Sequence, residues 1–255
     1  MHMIGYLLPE RLGVISTVKS TDLSFIYASV ALGTENTYHG GHMSFRRYRK
    51  YGRGEFYVVA CDTAAGGLDW CAAQFLCKEK LDVPTVYHSK AMATEMTPII
   101  HQELEKIYDQ TGVQPVVAYE RNNGGFYEIE RLATLNRQGK YRIYTEKTGV
   151  GTTDATDQST RLGFSTTSAS RPVMLSMLKE AIDARLLRIY DKPTINEMFS
   201  FIVSQTSSSW KAQAEKGAHD DLIMSLAIAW QLYQTENPID LNQNVQVVIP
   251  KGIMF

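Results

Sequence analysis

The sequence predicts an α/β domain whose central mixed β-sheet is flanked by helices. Two apolar runs that each end on a carboxylate, residues 56–62 and 115–120, are typical of strands buried on both faces of a sheet. Residues 94–109 instead carry apolar side chains at helical spacing among polar ones. Strands that are followed by helices alternating with further strands indicate the α/β class.

Turn residues and periodicity place the remaining elements along the chain. Residues 70–77 return after a turn at Ala65-Gly66-Gly67 and complete a hairpin with the first strand, and residues 84–88 form a third strand. The helix at residues 94–109 closes near Gly112. We also predict helices at residues 126–135, 172–187, from Pro193 across 199–203 and from Gly217 to about 233, and strands at 141–145, 187–190 and 245–249.

The 255 residues suffice for one sizeable domain, with or without a short appendage. We predict an N-terminal appendage or junction segment at residues 1–43 and the α/β domain at residues 44–255. The hydrophobic fraction of 44% and the charged fraction of 21% are ordinary for a globular protein. A formal net charge of -1 excludes no class of partner, because local basic stretches can hold a polyanion.

The three cysteines, Cys61, Cys71 and Cys77, match no spacing that is typical of zinc ligands. We expect them to be buried free thiols in a reducing compartment. No apolar stretch approaches the ~20 residues that span a bilayer, and no signal-peptide pattern opens the chain. These observations predict a cytoplasmic protein without a membrane partner.

Acidic residues stand at the ends of three predicted elements. Asp62 and Glu120 each close a strand, and the pair Asp220 and Asp221 opens the final helix. The carboxyl ends of neighbouring strands share one crevice, and a helix that begins there would bring its first residues alongside. Crowded carboxylates need cations, and hard oxygen ligands select Mg²⁺ or Mn²⁺. Two such ions can activate a water and stabilise the leaving oxygen of a phosphodiester.

Each acidic position also has an ordinary structural explanation. An aspartate at a strand end, such as Asp62, is common, and Glu120 can pair with the neighbouring Arg121. Asp220 and Asp221 can cap the last helix and favour its dipole, an effect of about 0.5–2 kcal/mol. The joint placement of all four carboxylates on these elements favours the metal site.

Three segments around these carboxylates resemble the nuclease motifs of phage terminase large subunits. Residues 59–69 (VACDTAAGGLD) are similar to the first motif, a strand followed by an Asp, small residues, Gly and a second Asp. Residues 119–124 (YERNNG) resemble the second motif, and residues 217–227 (GAHDDLIMSLA), a paired Asp that opens an apolar helix, resemble the third. The resemblance spans about residues 57–233 and implies an RNase H-like nuclease.

The resemblance also implies a role for each acidic residue. Asp62 would bridge two Mg²⁺ or Mn²⁺ ions, Glu120 would bind one of them, and Asp220 and Asp221 would complete the ligand shell. Because successive helical residues point about 100° apart, one of that pair should ligate more directly, and we favour Asp221. Asp69 is an accessory ligand through a water, although a polar residue at a hairpin turn is an equally good explanation.

A complete terminase large subunit carries an ATPase motor ahead of the nuclease, whereas this sequence contains no G-x-x-x-x-G-K-[ST] phosphate loop. We therefore expect the chain to cut DNA without translocating it, either as an excised domain or with the motor on another polypeptide. The resemblance implies double-stranded DNA, that motor, a small terminase and a portal as partners, in the cytoplasm of a host cell.

Basic residues are candidates for contacts with DNA phosphates, which supply affinity without reading sequence. One group lies just upstream of Asp220 and the other is a basic stretch near residue 48, for which a solvated linker is an equally good explanation. His219 can orient a reacting water or leaving group, or merely contact backbone at the helix start. The candidate DNA contacts are Lys211, Lys216, Arg46, Arg47, Arg49 and Lys50.

The sequence thus predicts endonucleolytic cleavage of double-stranded DNA during viral genome packaging by a two-metal-ion mechanism. Little sequence preference is expected, since nothing resembles a base-reading module. One alternative is another DNA enzyme of the same fold, a junction resolvase or a transposase-like strand transferase. A non-catalytic scaffold that binds DNA or a protein is a second alternative, and a purely structural cation is a third.

Overall fold

A mixed β-sheet with helices on both faces forms the centre of the protein, as the sequence predicts. The computed structural model describes residues 35–39, 42–64, 69–122, 124–147, 160–205, 210–214 and 219–239. The strands are β1 (Glu35–His39), β2 (His42–Arg47), β3 (Tyr57–Asp62), β4 (Cys71–Cys77), β5 (Asp82–Ser89), β6 (Val116–Tyr119), β7 (Arg142–Ile143), β8 (Thr145–Lys147), β9 (Thr160–Leu162), β10 (Arg188–Ile189), β11 (Phe201–Gln205) and β12 (Trp210–Ala214). The helices are α1 (Ala93–Thr111), α2 (Gly125–Leu135), α3 (Ser170–Asp183), α4 (Lys192–Ser200) and α5 (Asp221–Thr235).

The main sheet has eight strands, seven of them in the order β1-β2-β5-β4-β3-β6-β7, and β10 pairs with the start of β5. Neighbours from β1 to β3 are antiparallel, so the predicted hairpin of β3 and β4 is confirmed. From β3 onward the pairing is parallel, through β6 to β7. This parallel half brings the carboxyl ends of β3 and β6 to the same edge of the sheet.

Strand β3 is buried on both faces because each face carries its own layer of helices. Side chains alternate along a strand, and Tyr57, Val59 and Cys61 pack with the apolar residues of α1 and α2. Val58 and Ala60 point the other way and pack with α3 and α5. The continuous apolar run in the sequence therefore reflects two cores, one on each side of the sheet.

Helix α5 is apolar on nearly all sides because it lies across β3 and β4 with α3 and α4 beside it. From Leu222 to Trp230 every residue is buried, including Ser225, whose hydroxyl donates to the carbonyl of Asp221 at 2.8 Å. Such a helix is a core element rather than an amphipathic surface helix. Its first turn is consequently fixed against the sheet edge where β3 ends.

Three predicted elements differ from the structure. The helix predicted at 172–187 ends at Asp183, because Arg185 adopts a left-handed φ of 56° that a helix cannot continue through. The helix predicted across 199–203 ends at Ser200, and Phe201–Gln205 pairs with β12, as suits its apolar, β-branched run. The strand predicted at 141–145 is split into β7 and β8, and that predicted at 245–249 lies outside the described residues.

The hairpin of β1 and β2 spans the predicted domain boundary at residues 43 and 44, and residues 1–34 lie outside the described part. Within the described part, no helix is long and apolar enough to cross a membrane. The prediction of buried, free thiols is confirmed for Cys61, Cys71 and Cys77.

Candidate active site

Asp62 and Glu120 lie side by side at one edge of the sheet. Asp62 ends β3 on the face that packs against α5, because it shares the parity of Val58 and Ala60. Glu120 directly follows the parallel neighbour β6, and its backbone N–H donates to the carbonyl of Cys61 at 2.8 Å. The two carboxylates, predicted from strand ends alone, are therefore brought together by the parallel register.

The first turn of α5 closes this corner of the sheet and completes an acidic cleft of about 530 Å³. All five acidic residues predicted for the site line it, namely Asp62, Asp69, Glu120, Asp220 and Asp221. The cleft is also lined by Thr63, Ala64, Asn122, Arg171, His219 and Met224.

Glu120 is held by the segment that follows it. The Asn122 side-chain amide donates to Glu120 Oε1 at 3.1 Å and to the carbonyl of Thr166 at 3.2 Å, so it orients the carboxylate. A Cβ on Gly125 would lie 1.8 Å from the carbonyl oxygen of Glu120, which only glycine avoids. The second glycine of this turn thus lets α2 begin directly against Glu120.

The start of α5 is anchored from two sides. The Gln74 side chain, fully buried on β4, donates to the carbonyl of Leu222 at 3.2 Å. From α4, Glu197 Oε1 accepts the backbone N–H of Ile223 at 2.8 Å. These two hydrogen bonds fix the start of α5 and with it the direction in which Asp221 faces the cleft.

Asp220 occupies the N-cap position of α5, but its side chain makes no capping hydrogen bond. Instead it forms an ion pair with the guanidinium of Arg171, the second residue of α3. The explanation of Asp220 as an ordinary helix cap is therefore not supported.

One carboxylate oxygen of Asp221 has no hydrogen-bond partner among the described residues. This oxygen, Oδ2, is buried. Nδ1 of His219 lies 3.8 Å from this oxygen and 3.8 Å from Oδ1 of Asp69, beyond hydrogen-bond distance. A buried carboxylate oxygen without a donor is unfavourable unless an external donor or cation reaches it.

Two carboxylates of the cleft, Asp62 and Asp221, and the neighbouring Glu197 resist ionisation. Burial raises the pKa of Asp62 well above its ordinary value, and the negative charge of Glu120 raises it further. Burial also raises the pKa of Asp221 to about 6, with Asp220 adding to the effect. Burial, opposed by the Ile223 N–H and reinforced by Asp221, raises the pKa of Glu197 to about 8. Additional positive charge would stabilise the ionised form of all these groups.

The donor set suits a hard divalent cation better than a soft one. The candidate ligands are carboxylate oxygens, which Mg²⁺ and Mn²⁺ prefer, and the buried cysteine thiols are not among the residues that line the cleft. Within the described residues, no group of three or more His, Cys, Asp or Glu side chains is arranged so that it could hold a metal ion as it stands. The metal-binding roles of the five acidic residues stay predictions.

The basic residues that we predict to contact DNA differ in how far they are buried. Arg46, Arg47 and Arg49 are mostly buried in ion pairs, with Asp191, with Glu103, and with both Glu55 and Asp82. Their charges are neutralised inside the fold, which weighs against the predicted contacts with DNA, whereas Lys50 is exposed. The side chains of Lys211 and Lys216 lie outside the described part.

Sequence reasoning missed three residues of this region. Arg171 and Asn122 line the cleft, and Glu197 supports the start of α5. Asn122 lies within the second motif, where its position two residues after Glu120 was the available signal. Arg171 and Glu197 carry no local signal, because their contacts join residues that are far apart in the chain.

An aromatic group flanks the cleft on the β5 side. The Trp70 ring stacks on His88 with centroids 4.4 Å apart, and its edge faces the His219 ring at 6.5 Å. Lys90 Nζ lies 4.9 Å from the centre of the Trp70 ring. Trp70 is half-buried at this position, whereas Trp230 on α5 is buried in the core.

Solved structures share this arrangement of strands and helices. The large terminase nuclease from thermophilic phage G20c matches with a TM-score of 0.52 at 14% identity, over 82% of this chain and 98% of that chain. The large terminase nuclease domain of Thermus phage P74-26 matches with a TM-score of 0.55 at 16% identity, over 83% and 97%. No protein-family model matches the chain. At these identities the likeness establishes the fold, and the chain has the RNase H-like fold of phage large terminase nuclease domains.

Proposed function

We propose that this protein is a divalent-cation-dependent endonuclease that cleaves double-stranded DNA during viral genome packaging. The observation that carries the proposal is the convergence of Asp62, Glu120 and Asp221 in one cleft. Solved nucleases of the same fold give it independent support, and one from phage G20c has been crystallised with bound magnesium.

Asp62, Glu120 and Asp221 are the residues that would hold the cations, with Asp220 and Asp69 at the margin of the cleft. The fit rests on the unsatisfied Oδ2 of Asp221 and on the raised pKa of Asp62, both of which a cation would relieve. When bound, a pair of Mg²⁺ or Mn²⁺ ions supplies Lewis acidity toward the phosphodiester and lowers the pKa of a water.

The protein's own side chains supply orientation and a proton site. Asn122 fixes the direction of the Glu120 carboxylate, and Gln74 with Glu197 fixes the start of α5. Nδ1 of His219, beside Asp221, is the nitrogen placed to exchange a proton with a reacting water or a leaving oxygen. Preorganised carboxylates in one narrow cleft are what an in-line displacement at phosphorus requires.

The direct test is incubation of supercoiled plasmid with the purified protein, with and without Mn²⁺ or Mg²⁺. Asp62→Asn and Asp221→Asn should each lower nicking and linearisation by more than about 10²-fold, since loss of even an outer-shell partner of a metal ligand typically reduces activity 10–100-fold. Asp109→Asn, on the exposed side of α1, is the matched control and should cut like the wild type.

Three results would redirect the proposal. A wild-type protein that leaves plasmid intact at every metal concentration contradicts the nuclease function for this chain. DNA binding without metal-dependent cleavage would favour the scaffold alternative. Faster cleavage of a four-way junction than of linear duplex would favour a resolvase.

A further inference from the structure

We propose that Arg171 binds a backbone phosphate of the DNA beside the scissile bond, and that it leaves Asp220 for that phosphate when cations enter the cleft. This inference rests on the nuclease function proposed above and names the residue that recognises its substrate. It goes beyond the acidic residues, because Arg171 lies outside the three motifs that carry the resemblance.

Arg171 is placed at the cleft by a segment that is tied to the end of β6. The backbone N–H of Arg121 donates to the carbonyl of Phe164 at 2.9 Å, and Asn122 reaches the carbonyl of Thr166. Thr167 and Ser170 then exchange backbone-to-hydroxyl hydrogen bonds at 2.9 and 3.0 Å, which start α3. The first turn of α3 is thereby fixed relative to Glu120, and the guanidinium of Arg171 points into the cleft.

The guanidinium of Arg171 is a positive charge in a cleft that is otherwise rich in carboxylates. Among the described residues that line the cleft, Arg171 carries the one positive charge that does not depend on pH. A phosphodiester that approaches five carboxylates is repelled unless cations meet it. A guanidinium presents paired N–H donors that match two phosphate oxygens, so a phosphodiester can compete with the half-buried Asp220 carboxylate for it.

The ion pair with Asp220 is suited to exchange rather than to permanent structure. The side chains of Arg171 and Asp220 are each 31% exposed, so an incoming phosphate can reach the guanidinium. Asp220 does not need Arg171 to start α5, because Gln74 and Glu197 already anchor that turn. A cation that binds near Asp220 would replace the charge that Arg171 now supplies and free it for DNA.

The test compares Arg171→Met, Arg171→Lys and the control Lys179→Met, which removes a cation paired with Asp183 on the same helix. Mn²⁺ binding is measured by titration calorimetry without DNA. Binding of a fluorescent 20-base-pair duplex is measured by anisotropy with Ca²⁺ present, and kcat and KM are measured with Mn²⁺. Circular dichroism checks that each variant is folded.

Arg171→Met should bind Mn²⁺ about threefold more tightly or better, because a competing positive charge is removed from the cleft. The same variant should bind the duplex about 10-fold more weakly, with a raised KM, because a charge-assisted phosphate contact is lost. Arg171→Lys should lie between it and the wild type, and Lys179→Met should match the wild type in both measurements.

If Arg171 exchanges Asp220 for phosphate, Arg171→Met should bind Mn²⁺ more tightly and the DNA duplex more weakly than the wild type. Weaker Mn²⁺ binding by Arg171→Met would overturn the inference and give Arg171 a merely structural role, as would unchanged duplex binding. A wild type that never cleaves, but whose duplex affinity still depends on Arg171, would refute the nuclease function and keep the phosphate contact. A wild type that binds no duplex would overturn both the nuclease function and the phosphate contact of Arg171.

Discussion

Buried carboxylates near the two ends of strand β3 have opposite surroundings, cationic at the start and acidic at the end. At the start, Glu55 accepts hydrogen bonds from Arg49 Nη1 at 2.8 Å and from Gly52 N–H at 2.8 Å, and Lys80 Nζ lies 2.8 Å away. At the other end, Asp62 is 7% exposed and has acidic neighbours instead of basic ones. A neutralised acid thus lies just before the start of β3, and a crowded acid lies at its end.

The pKa values express this difference. Burial alone would raise the pKa of Glu55, but hydrogen bonds from Lys80, Tyr57 and Arg49 lower it to about 2. Burial and acidic neighbours raise the pKa of Asp62 and that of Asp221. The acids near the start of β3 are paired with cationic side chains, whereas Asp62 and Asp221 are not, and this difference supports the proposal that the cleft receives cations.

The largest expected effect on stability comes from removing the ion pairs of Arg49 near the start of β3. Arg49→Met removes the guanidinium that pairs with both Asp82 and Glu55, two buried acids, which should lower the free energy of unfolding by about 3–5 kcal/mol. Urea denaturation followed by circular dichroism measures this. A loss below about 1 kcal/mol would show that the ion pairs at this end are not what holds the two acids.

The carboxylates near the two ends of β3 should give the free energy of unfolding opposite dependences on pH. Because the folded protein keeps a proton on Asp221 up to about pH 6, the contribution of Asp221 to the stability of the metal-free protein is full below pH 4 and is lost as pH rises through 6. For a pKa raised from 3.8 to about 6, the loss is on the order of 3 kcal/mol at 1.36 kcal/mol per pKa unit. The lowered pKa of Glu55 acts in the other direction, because its stabilisation is lost as pH falls below 4 toward 2.

Urea titrations from pH 3 to 8 in the presence of a chelator test this dependence. Repeating them with Mn²⁺ should remove the decline above pH 6, since the cation favours the ionised carboxylates. A metal-free protein that gains stability steadily up to pH 8 would contradict the proposed charge crowding.

Asp62→Asn should have a smaller effect, with the opposite sign to that of Arg49→Met. Removing one buried negative charge from the crowded end should raise the free energy of unfolding of the metal-free protein at pH 8 by about 1 kcal/mol. The measurement is the urea midpoint, compared with that of Asp109→Asn. Destabilisation by more than 1 kcal/mol would mean that the Asp62 carboxylate is needed structurally.

The smallest effect is expected at Lys50, the exposed neighbour of Arg49. Lys50→Met should change stability by less than about 0.5 kcal/mol, as for most surface substitutions. If Lys50 contacts a phosphate, duplex affinity should fall slightly, and the slope of its logarithm against log salt should shrink by about 0.9. An unchanged slope would remove the last member of the predicted basic stretch from the DNA surface.

Local patterns were sufficient to predict much of the fold and the acidic site. Asp62 and Glu120 end buried apolar runs, and Asp221 opens an apolar helix, so short segments of sequence locate all three. The parallel register of β3 and β6 then brings them together, as the edge rule for α/β sheets predicts.

Long-range pairing could not be predicted from the sequence. The partner of Arg46, Asp191, lies 145 positions away, so a basic stretch that forms internal ion pairs looks the same as one that binds DNA. The ion pair of Arg171 and Asp220 was missed for the same reason. At residues 201–203 the apolar pattern was too short to distinguish the end of a helix from a strand.

Titration calorimetry of Mn²⁺ into the metal-free wild type and into Asp62→Asn at pH 8 shows whether the crowded carboxylates bind divalent cations. We expect saturable binding by the wild type and its loss, or a weakening of at least about 10-fold, in Asp62→Asn. No binding by the wild type, or equal binding by both proteins, would contradict the claim that the crowded carboxylates are held for divalent cations.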